Sequence, residues 1–359
     1  MSFKKYLANL YSRHLEHPEA LALILFILSV SFILYLLGNI LLPLLIAMVM
    51  AYLLEWPVNY LEKLKLPRLF AVLIIFVLFI GLLILTLVGI VPVLKHQLSS
   101  LLNSLPDMFN EGKKLMVSLQ QEYPKIFSDD QYDDFVESIK SYGTSSGKYI
   151  LSFSLASISN ILTVILYLVL VPILVFFLLK DKNELIQQGN LFIPQENSLI
   201  YQVFEEVHLG LGNYIRGKFV EAIIVSIATC IVLMYFNLPY NALLSVLVGI
   251  SVFFPFVGTI IATVPIAAVA MFQMGIGKEF FQLIIAYTVI QVIDGQIIVP
   301  LVLSEALKMR TIFIILSIIL FGGLFGFWGV VFAIPLAILI RAVLNSLPSF
   351  NQTRNLKEL

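Results

Sequence analysis

A single cysteine, Cys230, occurs in the whole sequence, and it lies inside an apolar run. One thiol can close no intrachain disulfide and build no thiolate metal site. Histidine is nearly as scarce. His14, His17, His96 and His208 form no helical His-x-x-x-His or Glu-x-x-His set, so no metal centre is expected. Charge is the third shortage: 12% of residues are charged, and 22 Lys+Arg balance 22 Asp+Glu. That leaves no basic field of the kind nucleic-acid binding needs. The glycine loop with a following lysine that cradles nucleotide phosphates is missing too, so no ATPase and no cofactor are expected.

What replaces charge is hydrocarbon. Hydrophobic residues make up 60% of the 359, with a mean hydropathy of +0.99, against roughly 45–50% apolar in an ordinary soluble domain. A soluble fold would have to expose more apolar surface than water tolerates, which excludes a soluble enzyme and makes the bilayer the first partner.

A hydrocarbon core about 30 Å thick takes about 20 apolar residues of helix. Long uncharged runs of that kind occur at 20–37, 40–54, 69–92, 150–179, 219–236, 240–273, 280–303 and 311–340. The first two are separated by Gly38-Asn39 and are expected to form a tight hairpin. The expected fold is therefore an all-α polytopic membrane protein of about eight membrane segments. Its parts are N-terminal spans (1–92), an extracytoplasmic amphipathic helical segment (93–149), a fourth span (150–181), a cytoplasmic amphipathic helix (182–218), a C-terminal transport core (219–341) and a cytoplasmic tail (342–359). Lys4, Lys5 and Arg13, then Lys63, Lys65 and Arg68, then Lys180, Lys182, Arg216 and Lys218 fall on one side if spans one to four cross singly. The positive-inside rule makes that side the cytoplasm.

The water-facing pieces carry helical patterns. Leu94, Leu98, Leu101, Leu102, Leu105 and Phe109, then Leu115, Met116 and Leu119, predict amphipathic helices interrupted near Pro106. Asp129, Asp130, Asp133 and Asp134 cluster without the glycine turn or closing glutamate of a calcium loop, and read as a solvated helix start. Val203, Phe204, Val207, Leu211 and Tyr214 form a stripe for a membrane surface or a neighbouring helix.

Two of the long runs are interrupted from within. Pro255, Gly258 and Pro265 punctuate 240–273; Gly322, Gly323, Gly326 and Pro335 punctuate 311–340. Proline removes a backbone donor and glycine weakens a helix, so each run is expected to be two half-helices around a break. As re-entrant hairpins entering from opposite faces they would make the C-terminal half an inverted repeat, an architecture of secondary transporters. Gly322 and Gly326 also fit a small-xxx-small packing face.

Between these runs stands Asp294, the one acid deep in a span, with Thr288 and Gln291 on its helical face and Gln296 nearby. An intramembrane carboxylate costs at least about 2.5 kcal/mol and usually faces a cavity or partner. It reads first as a substrate or cation contact or a proton-exchanging group, with an interhelical or inter-subunit hydrogen-bond clamp as the other reading. Glu221 and Arg341 suit span ends and are also candidate ionic partners for it.

VFFLLKDK at 175–182, NYIRGKFVEA at 213–222, PFVG at 255–258, DGQIIVPLVLSEALKM at 294–309 and FGGLFGFWGVVFAIPLAI at 321–338 together resemble the autoinducer-2 exporter family, and within it the PerM-type permeases. The resemblance spans nearly the whole chain and is specific in the C-terminal half. Thr311 departs from it, because relatives commonly place a proline there. The resemblance implies about eight membrane segments, cytoplasmic termini and a homo-oligomer. It leaves the substrate open, since members are assigned both to signalling-molecule export and to sodium/proton exchange. The expected function is a permease of the bacterial inner membrane that exports a small polar metabolite or signalling molecule by alternating access. A cation/proton antiporter working through Asp294 is the alternative, and a non-transporting scaffold using 93–149 is a further one.

Overall fold

A computed structural model describes residues 18–122, 161–192, 199–255, 257–303, 309 and 311–346. The N-terminal basic residues, His14 and His17, the four-aspartate cluster, the start of the fourth span, Lys308 and most of the C-terminal tail lie outside the described residues.

The described residues are helices and their connections. α1 spans Pro18–Lys63 and α2 Arg68–Leu85; a single π-helical turn, Thr86–Ile90, joins α2 to α3, Val91–Glu122. α4 is Ile161–Lys180, α5 Lys182–Phe192 and α6 Leu199–Tyr235. α7 is Asn241–Ser251, α8 Val257–Met274 and α9 Lys278–Ile293. A second π-turn, Asp294–Ile298, leads into α10, Val299–Leu303, and α11, Thr311–Val331, is followed by α12, Ala333–Ser346. Seven of these helices or their continuations are long and apolar enough to cross a membrane. The protein is thus an all-α, multi-pass membrane protein.

Two expectations about helix ends fail. The hairpin at Gly38-Asn39 is not formed; α1 runs through both residues as one helix of 46 residues. A two-residue link would strand the terminal N–H and C=O groups of two helices in an apolar setting, at several kcal/mol each. Keeping Gly38 and Asn39 helical costs about 1 kcal/mol or less apiece. At 1.5 Å per residue α1 is about 69 Å long, and without the hairpin the sidedness of the N-terminus no longer follows from counting lysines and arginines. The break near Pro106 is also absent, since Pro106 lies inside α3. Tertiary contacts hold the helix there: Leu101 and Met108 pack on a buried core, Gln97 Oε1 accepts from the Leu243 N–H at 2.8 Å, and the Ser104 and Tyr240 hydroxyls are 2.9 Å apart.

The chain divides into two compact units, Met1–Leu78 with Val169–Phe219 and Pro300–Leu359, and Phe79–Leu168 with Val220–Val299. In the first, α2 lies against α4, with Phe76 and Phe176 edge to face at 5.2 Å and Ala71, Val72, Val175 and Leu179 fully buried. The stripe on the first half of α6 meets α12: Val203 and Ala342 are buried together, and Gly210 sits under Ile338. The second unit has a larger core. Val225 and Leu233 of α6, Leu244 and Val248 of α7, Ala262 and Ile266 of α8, and Leu283, Tyr287 and Ile290 of α9 are buried against one another.

Each unit contains a tight fold-back. Residues i and i+7 of a straight helix are about 10 Å apart along its axis, yet a Cβ on Gly258 would overlap the Ser251 carbonyl, so α7 and α8 turn back on each other between Ser251 and Val257. In α11 the helix breaks at Gly326, whose φ of 60° and ψ of −137° suit glycine. A Cβ on Gly329 would overlap the Phe321 carbonyl, and Gly322 faces Val330. The returning arm stays helical into α12, since Phe332 N–H donates to Trp328 and Leu336 N–H to Phe332. Pro265 is carried inside α8 without ending it, and Pro335 lies in the first turn of α12, where a missing N–H costs little.

Candidate functional site

The C-terminal half of α9 carries the polar residues singled out above. Thr288 is exposed, and its hydroxyl donates to the Ile284 carbonyl one turn back, at 2.8 Å. Three residues on, Gln291 Nε2 is shut off from solvent with no hydrogen-bond partner among the described residues. Three further on is Asp294, with Oδ1 likewise shielded from solvent. Gln296 is exposed. A buried amide N–H left unpaired costs about 1–3 kcal/mol, so Gln291 is held in a position that packing alone does not favour.

Asp294 does not sit in regular helix. Its own N–H is shared between the Gln291 and Ile290 carbonyls, and its carbonyl accepts from Val299 N–H, five residues ahead. That wider turn inserts one residue and re-aims the side chains beyond it; such turns concentrate at functional sites. The Asp294-Gly295 pair is the local signal in the sequence, since Asp-Gly commonly marks departures from regular helix. Tyr287, buried one turn before Gln291, is tied to α8 by the Thr263 hydroxyl at 3.3 Å. Replacing it by Phe is expected to lower stability by about 1 kcal/mol, the net worth of one hydrogen bond, read as a small fall in the thermal midpoint.

The two charged partners considered for Asp294 behave differently. Arg341 Nε lies 3.8 Å from Glu206 Oε1, and Asn345 donates to that same oxygen at 2.9 Å, so Arg341 has a carboxylate of its own in the α6–α12 contact. Glu221 is buried, 2% exposed, on the face of α6 that carries Val225 and Thr229. Thr229 is fully buried with no partner for its hydroxyl. Thr86, Thr263, Thr288 and Ser317 instead donate to the carbonyl four residues back.

A second polar cluster in the first unit escapes sequence reasoning. Arg68 donates through Nε and Nη2 to the Leu179 carbonyl at 3.1 and 2.5 Å, capping α4. Its guanidinium also meets Glu62 at 3.2 Å and Glu55 at 3.4 Å, and Lys182 meets Glu55 at 2.8 Å. Next to them, the Tyr52 hydroxyl is hydrogen-bonded to His208 Nδ1. These residues are spread over five helices, and no spacing along the chain announces them. Their juxtaposition brings the 55–68 and 180–182 segments together.

Comparison with known proteins decides the class. The description "AI-2E family transporter" matches residues 21–349. The chain belongs to the AI-2E transporter family. The Escherichia coli strain K12 protein named as a permease, PerM, is 40% identical over 338 residues, which are 94% of this chain and 96% of that one. YueF of Bacillus subtilis strain 168, named as a transport protein, is 28% identical over 312 residues, covering 84% of this chain and 82% of YueF. YrrI of the same strain, also named as a transport protein, is 27% identical over 312 residues, 85% of this chain and 86% of YrrI. Family membership and the seven apolar helices together identify a membrane transporter.

Proposed function

We propose that this AI-2E family member is a secondary transporter of the bacterial inner membrane that exports a small polar solute by alternating access, with Thr288, Gln291, Asp294 and Gln296 along the path. The observation that carries the reading is the π-turn that opens on Asp294, one turn after the solvent-shielded, unpartnered amide of Gln291. Unspent hydrogen-bonding capacity at the depth of an apolar helix is what a polar solute would satisfy. The fold-backs at Gly258 and at Gly326 supply the broken helices such a mechanism uses, as re-entrant hairpins. The end of the first unit that carries Arg68, Lys180 and Lys182 faces the cytoplasm by the positive-inside rule.

The test is flux in proteoliposomes loaded with candidate metabolites. Asp294→Asn keeps the side-chain shape and removes the charge; together with Gln291→Leu it is expected to cut transport at least tenfold while leaving the thermal midpoint within a few degrees. Unchanged flux in both variants would remove these residues from the path. The ionisable carboxylate favours one second reading, cation/proton exchange, in which an imposed pH or sodium gradient drives flux and Asp294→Asn uncouples it.

A further inference from the structure

Arg216 is a half-buried cation of the first unit. Arg68, Lys180, Lys182 and Arg341 each have a carboxylate within ion-pair distance. Arg216 has none among the described residues. Its Nε donates to the Gly212 carbonyl at 3.0 Å and its Nη2 to Asn213 Oδ1 at 2.7 Å, which folds the guanidinium back along α6 and leaves both Nη1 protons unused. A guanidinium stays charged at any physiological pH, so it cannot escape partial burial by losing a proton.

The surroundings are shaped around it. Gly212 is buried, and the point where its Cβ would stand is 3.3 Å from Tyr52 Cδ1 and 3.5 Å from Arg216 Nη2. The absent side chain therefore lets the Tyr52 ring and the guanidinium lie side by side. Tyr52 continues along α6 to His208, whose ring is stacked on Phe204 at 6.1 Å. The Tyr52 hydroxyl engages His208 at Nδ1 and leaves Nε2 on the other side of the ring. The position thus sets a half-buried, fixed positive charge beside an aromatic ring, with no carboxylate within ion-pair distance of the guanidinium among the described residues, Glu55 lying further off beside His208.

We propose that Arg216, flanked by Tyr52 and His208, binds an oxyanion, a phosphate or carboxylate group, at the basic end of the first unit. Planar guanidinium donors match two oxygens of such a group at once. This site goes beyond the transport path around Asp294 and does not depend on it. The same chemistry is offered by the headgroup phosphate of an anionic lipid and by a free anion in the cytoplasm.

The experiment uses the full chain in nanodiscs. In discs of phosphatidylcholine alone, binding of radiolabelled inorganic phosphate is measured by equilibrium dialysis; in discs containing phosphatidylglycerol, lipid retained per chain is counted by native mass spectrometry. Saturable phosphate binding in the first arm assigns a free anion, and retention of phosphatidylglycerol over phosphatidylcholine in the second assigns a headgroup; either supports the site. Arg216→Gln is expected to weaken the positive arm at least tenfold, while Lys114→Gln, at an exposed pair with Glu111, leaves it unchanged. If Arg216→Gln does not fold, Arg216→Lys is read instead and is expected to lose affinity several-fold because the fork is gone. Neither probe binding saturably, or an Arg216 variant binding as tightly as wild type, overturns the assignment.

Discussion

Gly258→Ala and Gly329→Ala are each expected to destabilise the protein by about 3 kcal/mol, at the upper end of what overpacking costs, and to abolish transport. At both positions the added Cβ meets a backbone carbonyl, Ser251 in one fold-back and Phe321 in the other, and not the yielding end of a side chain. A carbonyl held in a helix cannot step aside without breaking its own hydrogen bond, so the two arms must separate. A domain stable by about 5–15 kcal/mol tolerates one such change poorly and the pair not at all. The controls are close by. At Gly323 and Gly295 nothing lies within 4 Å of the point where a methyl group would stand, so Gly323→Ala and Gly295→Ala are expected to leave the thermal midpoint nearly unchanged. Equal losses at all four positions would mean that helix breaking, and not close approach, is what these glycines provide.

Arg68→Ala is the second large effect. Arg68 joins three helices: it begins α2, caps the last carbonyls of α4 at Leu179, and holds Glu55 and Glu62 of α1. The pair with Glu55 is well shielded, with side chains 19% and 13% exposed. Removing one member of a shielded pair typically costs about 3–5 kcal/mol, because the other charge is left without compensation. Lys182 still holds Glu55 at 2.8 Å, which places the expectation near the lower figure, about 3 kcal/mol. Arg68→Lys keeps the charge but cannot donate to Leu179 and two carboxylates together, and is expected to recover less than half of the loss. Thermal unfolding in detergent reads both variants. Full recovery by lysine would show that charge alone, without the forked geometry, suffices.

The membrane class was legible because solvent choice is a bulk property: 60% hydrophobic residues in long runs have no other home. Gly258 and Gly326 stand where helices fold back, since a missing Cβ acts at its own position, whereas Pro265 is carried inside α8. The same reasoning misread Gly38-Asn39 and Pro106, which the helices simply absorb. A weak helix former is a local cost of about 1–3 kcal/mol, and tertiary contacts such as those of Gln97, Leu101 and Ser104 decide whether it is overcome.

Of the polar residues, Asp294 and Gln291 could be noticed from the chain because a carboxylate or amide in hydrocarbon is conspicuous wherever it lies. That Asp294 opens a π-turn depends on how α9 continues into α10; the Asp294-Gly295 pair marks a departure from regular helix but not its kind. The clamp around Arg68 and the cluster at Arg216 were invisible for a stronger reason. Each is made by residues far apart in the chain, Arg68 with Leu179 and Tyr52 with His208, and ion pairing and hydrogen bonding act over a few ångströms of space irrespective of chain distance. The sequence by itself determined the solvent and the helical class; tertiary structure alone decided which of the described charges are paired, because pairing needs groups from distant parts of the chain brought within a few ångströms.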